Sequence, residues 1–234
     1  MIRQDKCAMK VCTDACIFGS WIAQKIEAQP TFANCLDIGT GTGLLSLMVA
    51  QKNPYVIIDA VEIEENAFEQ AKENFYDSEW SDRLHIYQTD IKNFISEKKY
   101  DLIICNPPFF ENELKSDKKN KNIAKHDEGL SLKELIPVIR KYLSDKGIFA
   151  ILLPYHRIKY FETLAEENNF FVQEKLLIKQ TAKHNFFRGI LFLKVSGHFK
   201  WPDTCENKTN ELIIKDEEVN YTNEFIELMK DYYL

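Results

Sequence analysis

Short, nearly continuous apolar runs alternate with amphipathic stretches along this chain of 234 residues. The runs are NCLDIG (34–39), VIIDAVEI (56–63), RLHIYQTD (83–90), YDLIICN (100–106) and GIFAILLP (147–154), then FVQEKLLIK (171–179) and RGILFLKV (188–195). Helix-like segments fall between the first five, at 44–51, 65–76, 92–97 and 132–143. A strand that is apolar at successive positions needs cover on both faces, and alternating helices supply it. The expectation is an α/β fold with a doubly wound, seven-stranded, mostly parallel sheet. TAKHNFF separates the last two runs and holds no crossover helix, so these two pair antiparallel. A final segment, 220–233, spaces Phe225, Leu228, Met229 and Tyr232 as a short helix does.

The length suits one domain, 1–234, large enough to bury a core without disulfides or metals. No apolar run approaches the ~20 residues that cross a bilayer, and MIRQDKCAMK lacks the apolar core of a signal peptide. A cytoplasmic protein with no membrane partner is expected. The six cysteines include no C-x₂-C pair, so no metal is expected. A net charge of −6 argues against a tight, dedicated nucleic-acid binder unless lysines cluster locally.

LDIGTGTGLLSLMVAQ sets Gly39, Gly41 and Gly43 between the first apolar run and a helix. Glycines at such a junction let the backbone turn sharply and approach a ligand at the positive end of a helix. The dinucleotide-binding turn uses the same device with G-x-G-x-x-G spacing. Here the spacing is G-x-G-x-G, and Asp37 stands two positions before it. Acids also end the next two runs, Glu62 in VEIEEN and Asp90 in QTDIKNF. A carboxylate so placed accepts bonds from ribose hydroxyls. Asp37 repels a pyrophosphate but attracts the cationic amino-acid end of S-adenosyl-L-methionine. The turn alone leaves a nicotinamide-dependent oxidoreductase open; the three acids favour the methyl donor.

DLIICNPPFF begins as the fourth strand and breaks off in Asn106, Pro107, Pro108 and Phe109. In a doubly wound sheet this strand flanks the switch point, where ligands bind beyond the strand ends. Consecutive prolines hold the backbone extended and remove two N–H donors, leaving carbonyl acceptors. Asn106 adds an amide oxygen and Phe109 a flat apolar face. Two acceptors and a stacking surface beside a methyl donor suit a planar exocyclic amine. Accepting its two hydrogens orients the nitrogen and frees its lone pair for in-line attack on the methyl group.

NPPF on this strand resembles the N-P-P-[FYW] motif of class I amino-group methyltransferases, whose fold is Rossmann-like. The resemblance implies that the backbone of Gly39, Thr40, Gly41 and Gly43 and the side chains of Asp37, Glu62 and Asp90 hold S-adenosyl-L-methionine. It implies that Asn106, Pro107, Pro108 and Phe109 hold the target nitrogen, with Asn106 also touching the cofactor. CAMKVCTDACIFGSW, SEWSDRL (78–84), NPPFF and NYTNEFIELMKDYYL together resemble one bacterial family over nearly the whole chain. That family methylates N6 of adenine 37, beside the anticodon of a valine tRNA. KVCTDACIFGSW departs from the expected K-V-G-T-D-[AG]-x-L-L-G-A-W at Cys12 and Phe18, neither of which removes a polar contact. By the same match Lys10, Thr13 and Asp14 close over the cofactor, within a covering segment 1–33. Asp14 also suits the cap of a helix starting near Ala15.

The chain has no segment long enough for a DNA target-recognition domain, so no DNA partner is expected. It is not duplicated, and only about 33 residues precede the first strand, unlike the helical domain of release-factor glutamine enzymes. Guanine N2 of ribosomal RNA and glutamine N5 nevertheless remain alternative targets, as does a non-catalytic RNA-binding role. In the lysine-rich loop 111–129, the stretch from Lys115 to Lys125 sets Lys115, Lys118, Lys119, Lys121 and Lys125 against one aspartate, Asp117. Lysines next to the reactive position suit tRNA phosphates. Lys175, Lys179, Lys183, His184 and Arg188, around the last strand pair, form a second basic strip.

Overall fold

The computed structural model describes residues 2–6, 10–27, 31–107, 130–195 and 208–232. In chain order the first half runs α1 (Thr13–Glu27), β1 (Asn34–Ile38), α2 (Leu44–Lys52), β2 (Ile57–Glu62), α3 (Glu65–Tyr76), β3 (Leu84–Gln88) and β4 (Tyr100–Cys105). The second half runs α4 (Leu132–Tyr142), β5 (Leu143–Pro154), α5 (Tyr155–Glu167), β6 (Phe170–Lys179), β7 (Phe186–Val195), β8 (Lys208–Ile213) and α6 (Asn223–Met229). The strands join in one sheet of order β3-β2-β1-β4-β5-β7-β6-β8. Only β7 runs against its neighbours, antiparallel to β5 and β6, while β8 lies parallel to β6.

The chain builds outward from β1 to β3 and then returns to place β4 on the other side of β1. This reversal is the switch point expected of a doubly wound sheet. Register completes the arrangement. Ile38 pairs with Val61 on one side and with Cys105 on the other. The next residues, Gly39, Glu62 and Asn106, therefore emerge together at the carboxyl ends of three adjacent strands.

Each face of the sheet buries its own core. One is made by α1, α2 and α6 over the central strands, with Ile17, Phe18, Ile22, Val49 and Phe225 fully buried. The other is made by α4 and α5, with Leu135, Ile139, Tyr142 and Phe161. Local signals set the helix starts. Glu64 accepts from the Ala67 N–H at 2.7 Å before α3, and Thr222 accepts from the Phe225 N–H before α6. Ser131 and Glu134 form a reciprocal capping box at α4.

Four features depart from the sequence expectation. The seven strands become eight, because KTNELI adds an edge strand, β8, in which only Leu212 is buried. Helix α5 follows β5 directly and buries Ile158, Phe161 and Ala165. Residues 92–97 form a single turn and then an irregular segment, not a helix. Asp90 organises that turn, accepting from the Lys92 N–H with its side chain and from the Asn93 N–H with its carbonyl. Finally, α1 begins at Thr13, so Asp14 lies in its first turn rather than capping it. Helix α6 occupies the middle of the expected 220–233 segment. Among the described residues no helix is long and apolar enough to cross a membrane.

Candidate active site

The crevice beyond β1, β2 and β4 gathers Asp37, Glu62, the glycine turn and Asn106, with Asp90 beyond the neighbouring β3. Gly39, Gly41 and Gly43 all adopt left-handed φ, at 69°, 59° and 83°. The N–H groups of Gly39 and Thr40 both point to the Val61 carbonyl, at 2.9 and 3.2 Å, which folds the turn against β2. A Cβ at Gly39 or Gly41 would meet nothing within 4 Å, so these two positions border open space. Gly43 serves packing: its Cβ would lie 2.5 Å from Cε1 of Phe75. Gly43→Ala therefore combines a disfavoured φ with a ring clash. A loss of about 2–4 kcal/mol is expected, read as a lower midpoint in urea unfolding.

Asp37 is fully buried beneath the turn. Its Oδ2 accepts from Thr40 Oγ1 and Ser46 Oγ, both at 2.7 Å. Its Oδ1 has no hydrogen-bond partner among the described residues. Burial pushes the carboxyl up to about 6; the two hydroxyls pull it down and Glu62 pushes it up further. A half-satisfied buried carboxylate of this kind is held ready for a cationic or donor group.

Glu62, 8% exposed, ties strand to turn. Its Oε2 accepts from the Gly41 N–H at 2.9 Å, and its Oε1 accepts from the N–H groups of Ile63 and Glu64. Asp90 sits beyond the end of β3, half-buried, 3.6 Å from Lys92. Behind the turn, Asn74 of α3 makes three bonds of 2.8 Å. It accepts from the Arg3 N–H, donates to the Arg3 carbonyl and donates to the Thr42 carbonyl. Gln70, one turn earlier and fully buried, accepts from the Lys6 N–H. Residues 2–6 are thus strapped along α3 and joined through Asn74 to the glycine turn. Asn74→Ala should lower the thermal midpoint and speed amide exchange at Arg3, since several backbone groups lose their partner at once.

Asn106 follows the last residue of β4. Its Oδ1 is buried and has no hydrogen-bond partner among the described residues. An acceptor taken out of water and left unpaired is costly, and native proteins keep few such groups. Pro107 beside it is half-buried. Pro108, Phe109 and Lys115, Lys118, Lys119, Lys121 and Lys125 lie outside the described residues.

The other expected contacts divide: Lys10 joins the strap on α3, and the rest lie toward β6, β7 and β8. Lys10 is exposed, and its Nζ donates to the Gln4 carbonyl. Thr13 and Asp14 open α1 beside Gln180, Phe187, Ile214, Lys215 and Tyr221, at the ends of β6, β7 and β8. Asp14 is buried and accepts from Arg188 Nε at 2.7 Å. Arg188 is thereby anchored to α1, while Lys183 is exposed and 3.5 Å from Glu217. Lys175 pairs with Glu162 of α5 in the middle of β6, off the crevice end. Sequence reasoning missed Ser46, Gln70 and Asn74. Their signal was a polar residue inside an apolar helical face, LLSLMV for Ser46 and the Gln70–Asn74 spacing for the other two. Among the described residues no group of three or more His, Cys, Asp or Glu could hold a metal.

Comparison with known proteins agrees with this geometry. The family model for the methyltransferase small domain matches residues 18–185. A predicted O-methyltransferase of Agrobacterium tumefaciens superposes with a TM-score of 0.67 at 13% identity, covering 93% of this chain and 96% of that one. TYW2 of P. horikoshii, solved in complex with MeSAdo, gives 0.58 at 19% identity over 81% of this chain and 66% of that one. The architecture is that of the class I methyltransferases, with its crevice at the β1–β4 switch point. Proteins of Dyadobacter fermentans and Trichodesmium erythraeum, both called tRNA1(Val) (adenine(37)-N6)-methyltransferase, are 40% and 42% identical over all of this chain and 94% of theirs. This chain belongs to the tRNA1(Val) (adenine(37)-N6)-methyltransferase family.

Proposed function

We propose that this chain transfers a methyl group from S-adenosyl-L-methionine to the exocyclic N6 amine of adenine 37, beside the anticodon of a valine tRNA. The observation that carries this reading is the buried Oδ1 of Asn106, without a hydrogen-bond partner among the described residues, at the switch point one strand from the glycine turn. The activity for which its relatives are named supplies the substrate.

The residues fit the donor. Asp37 Oδ1 is an unpaired buried acceptor suited to its ammonium group, and Gly39 and Gly41 allow close backbone approach. Glu62 Oε2 accepts one bond from Gly41 and keeps a lone pair for a ribose hydroxyl. Asp90 borders the adenine side. When bound, S-adenosyl-L-methionine supplies a methyl carbon made electrophilic by its sulfonium.

The remaining chemistry belongs to the end of β4. The lone pair of an aromatic amine is delocalised into its ring and is a poor nucleophile. Asn106 Oδ1 and the Pro107 carbonyl accept the two amine hydrogens, fixing the nitrogen and favouring a pyramidal geometry with the lone pair directed outward. In this reading Pro108 keeps the backbone extended and Phe109 stacks on the adenine. No carboxylate base is required, because the amine proton becomes acidic only as the new N–C bond forms. Lysines of the 111–129 stretch and Lys183 contact phosphates, while Lys10, Thr13 and Asp14 lie in the covering segment.

Bulk tRNA from a strain lacking the gene, incubated with protein and S-adenosyl-L-methionine, should yield N6-methyladenosine on nucleoside mass spectrometry. Methylation confined to guanine N2 of ribosomal RNA or to a release-factor glutamine would contradict the assignment.

A further inference from the structure

A second set of side chains occupies the same carboxyl edge of the sheet, several strands from the glycine turn. Register brings it there. Pro154 at the end of β5 pairs with Arg188, and Lys179 at the end of β6 pairs with both Phe186 and Ile213. The start of α5, the start of β7 and the ends of β6 and β8 thus form one continuous rim.

Aromatic rings and cations alternate along this rim. Tyr155, 43% exposed, lies 5.2 Å from the ring of Phe186 at 37°. Lys179 Nζ stands 4.1 Å from the centroid of the same Phe186 ring. Beside them opens a cleft of about 300 Å³, whose walls include Gln180, Phe187, Lys215, Tyr221 and Thr13. Lys215 Nζ lies 5.5 Å from the Tyr221 ring and makes no salt bridge among the described residues. The volume is at the small end of ligand pockets, about 300–1,000 Å³. Tyr155 and Phe186 belong to neither core, whereas Phe187 and Tyr221 pack on the edge of one, Tyr221 stacked on Phe225 at 4.6 Å. An amide, a cation and aromatic walls in one cleft offer stacking, edge hydrogen bonds and a phosphate contact together.

We infer that this rim is a binding site for unpaired ribonucleotides, the ones flanking the methylated base. The inference rests on the proposed activity. A loop base that enters the Asn106 pocket must leave its stack, which uncovers the faces of its neighbours. Tyr155 and Phe186 offer a replacement stack on the same edge of the sheet, and the cleft takes the next nucleotide, with Lys215 toward its phosphate. Glu211 lies 3.3 Å from Lys179 and Glu217 lies 3.5 Å from Lys183, so local charge is largely balanced. Recognition here comes from stacking, which tolerates sequence, more than from net charge.

Tyr155→Ala, Phe186→Ala and Lys215→Ala test this with two readouts. The first is anisotropy of a labelled anticodon stem-loop of valine tRNA without cofactor; the second is KM and kcat for methylation of the full tRNA. Each ring variant should weaken stem-loop binding and raise the tRNA KM about tenfold or more, with S-adenosyl-L-methionine affinity and thermal midpoint unchanged. Lys215→Ala should weaken binding by a smaller factor and flatten its salt dependence. A stem closed by paired bases should not compete. Folded variants that methylate tRNA with wild-type KM would overturn the rim and leave the activity standing. Wild-type protein that binds the stem-loop through these rings yet transfers no methyl to tRNA would sink the activity instead.

Discussion

Asn106→Ala is expected to lower kcat for tRNA methylation by about a hundred- to a thousandfold, the usual scale for removing one preorganised hydrogen-bonding group from an active site. Stability should hardly change or should rise slightly. Oδ1 of Asn106 is buried and has no partner among the described residues, so truncation removes an unsatisfied acceptor rather than a bond. The combination separates catalysis from folding. A structural asparagine would show the opposite pattern, with a lower melting temperature and a proportionate loss of activity. Because the proposed donor site lies chiefly at the β1 and β2 ends, affinity for S-adenosyl-L-methionine should shift much less than kcat. Calorimetry and steady-state kinetics on one preparation give all three numbers.

The second large effect concerns Asp37 and runs in two directions. Its carboxyl has an ordinary value of 3.8 and is pushed up to about 6 in the fold, chiefly by burial. Between those values the folded protein binds more protons than the unfolded chain, so stability falls as pH rises from about 4 to about 6. Above that window the ionised group costs the unliganded protein about 3 kcal/mol. Asp37→Asn should therefore melt higher at pH 7 and lose the slope between pH 4 and 6, because the amide oxygen still accepts from Thr40 and Ser46. The same change should weaken S-adenosyl-L-methionine binding at least about tenfold, since the group that meets the ammonium has lost its charge. In the wild type, affinity should decline as pH drops through about 6 and Asp37 takes a proton. Titration calorimetry across that range, on both proteins, checks the sign.

Where a segment's structure is set locally, the sequence is a good guide. ENAFEQAKENFY forms α3 over the expected 65–76, with Glu64 as its cap, and the glycines of DIGTGTG all take left-handed φ. The end of β4 at Cys105 puts Asn106 where the break in DLIICNPPFF points. Three of the misses, β8, Asp14 and Asn74, share a physical cause, partners distant in sequence; the one at 92–97 is local. KTNELI holds four polar residues before Leu212 and Ile213, with no strand alternation, and becomes a strand because β6 offers it an open edge. In 92–97 Phe94 is buried but Ile95 is exposed, and the single turn held by Asp90 seats Phe94 without a helix. Asp14 looks like a cap until Arg188, 174 residues later, claims its carboxylate. Asn74 looks like a solvent-facing helix position until Arg3 and Thr42 fill its hydrogen bonds. The acceptor at Asn106 was legible because a strand end needs no distant partner to face a crevice.

The central claim is that this crevice methylates one adenine amine in tRNA. Labelled methyl transfer to two valine tRNA transcripts, one with adenine and one with guanine at position 37, tests it directly. Close to one methyl per molecule is expected in the first, mapped to the fragment holding position 37, and background in the second. Equal incorporation into both, or none into either, would contradict it.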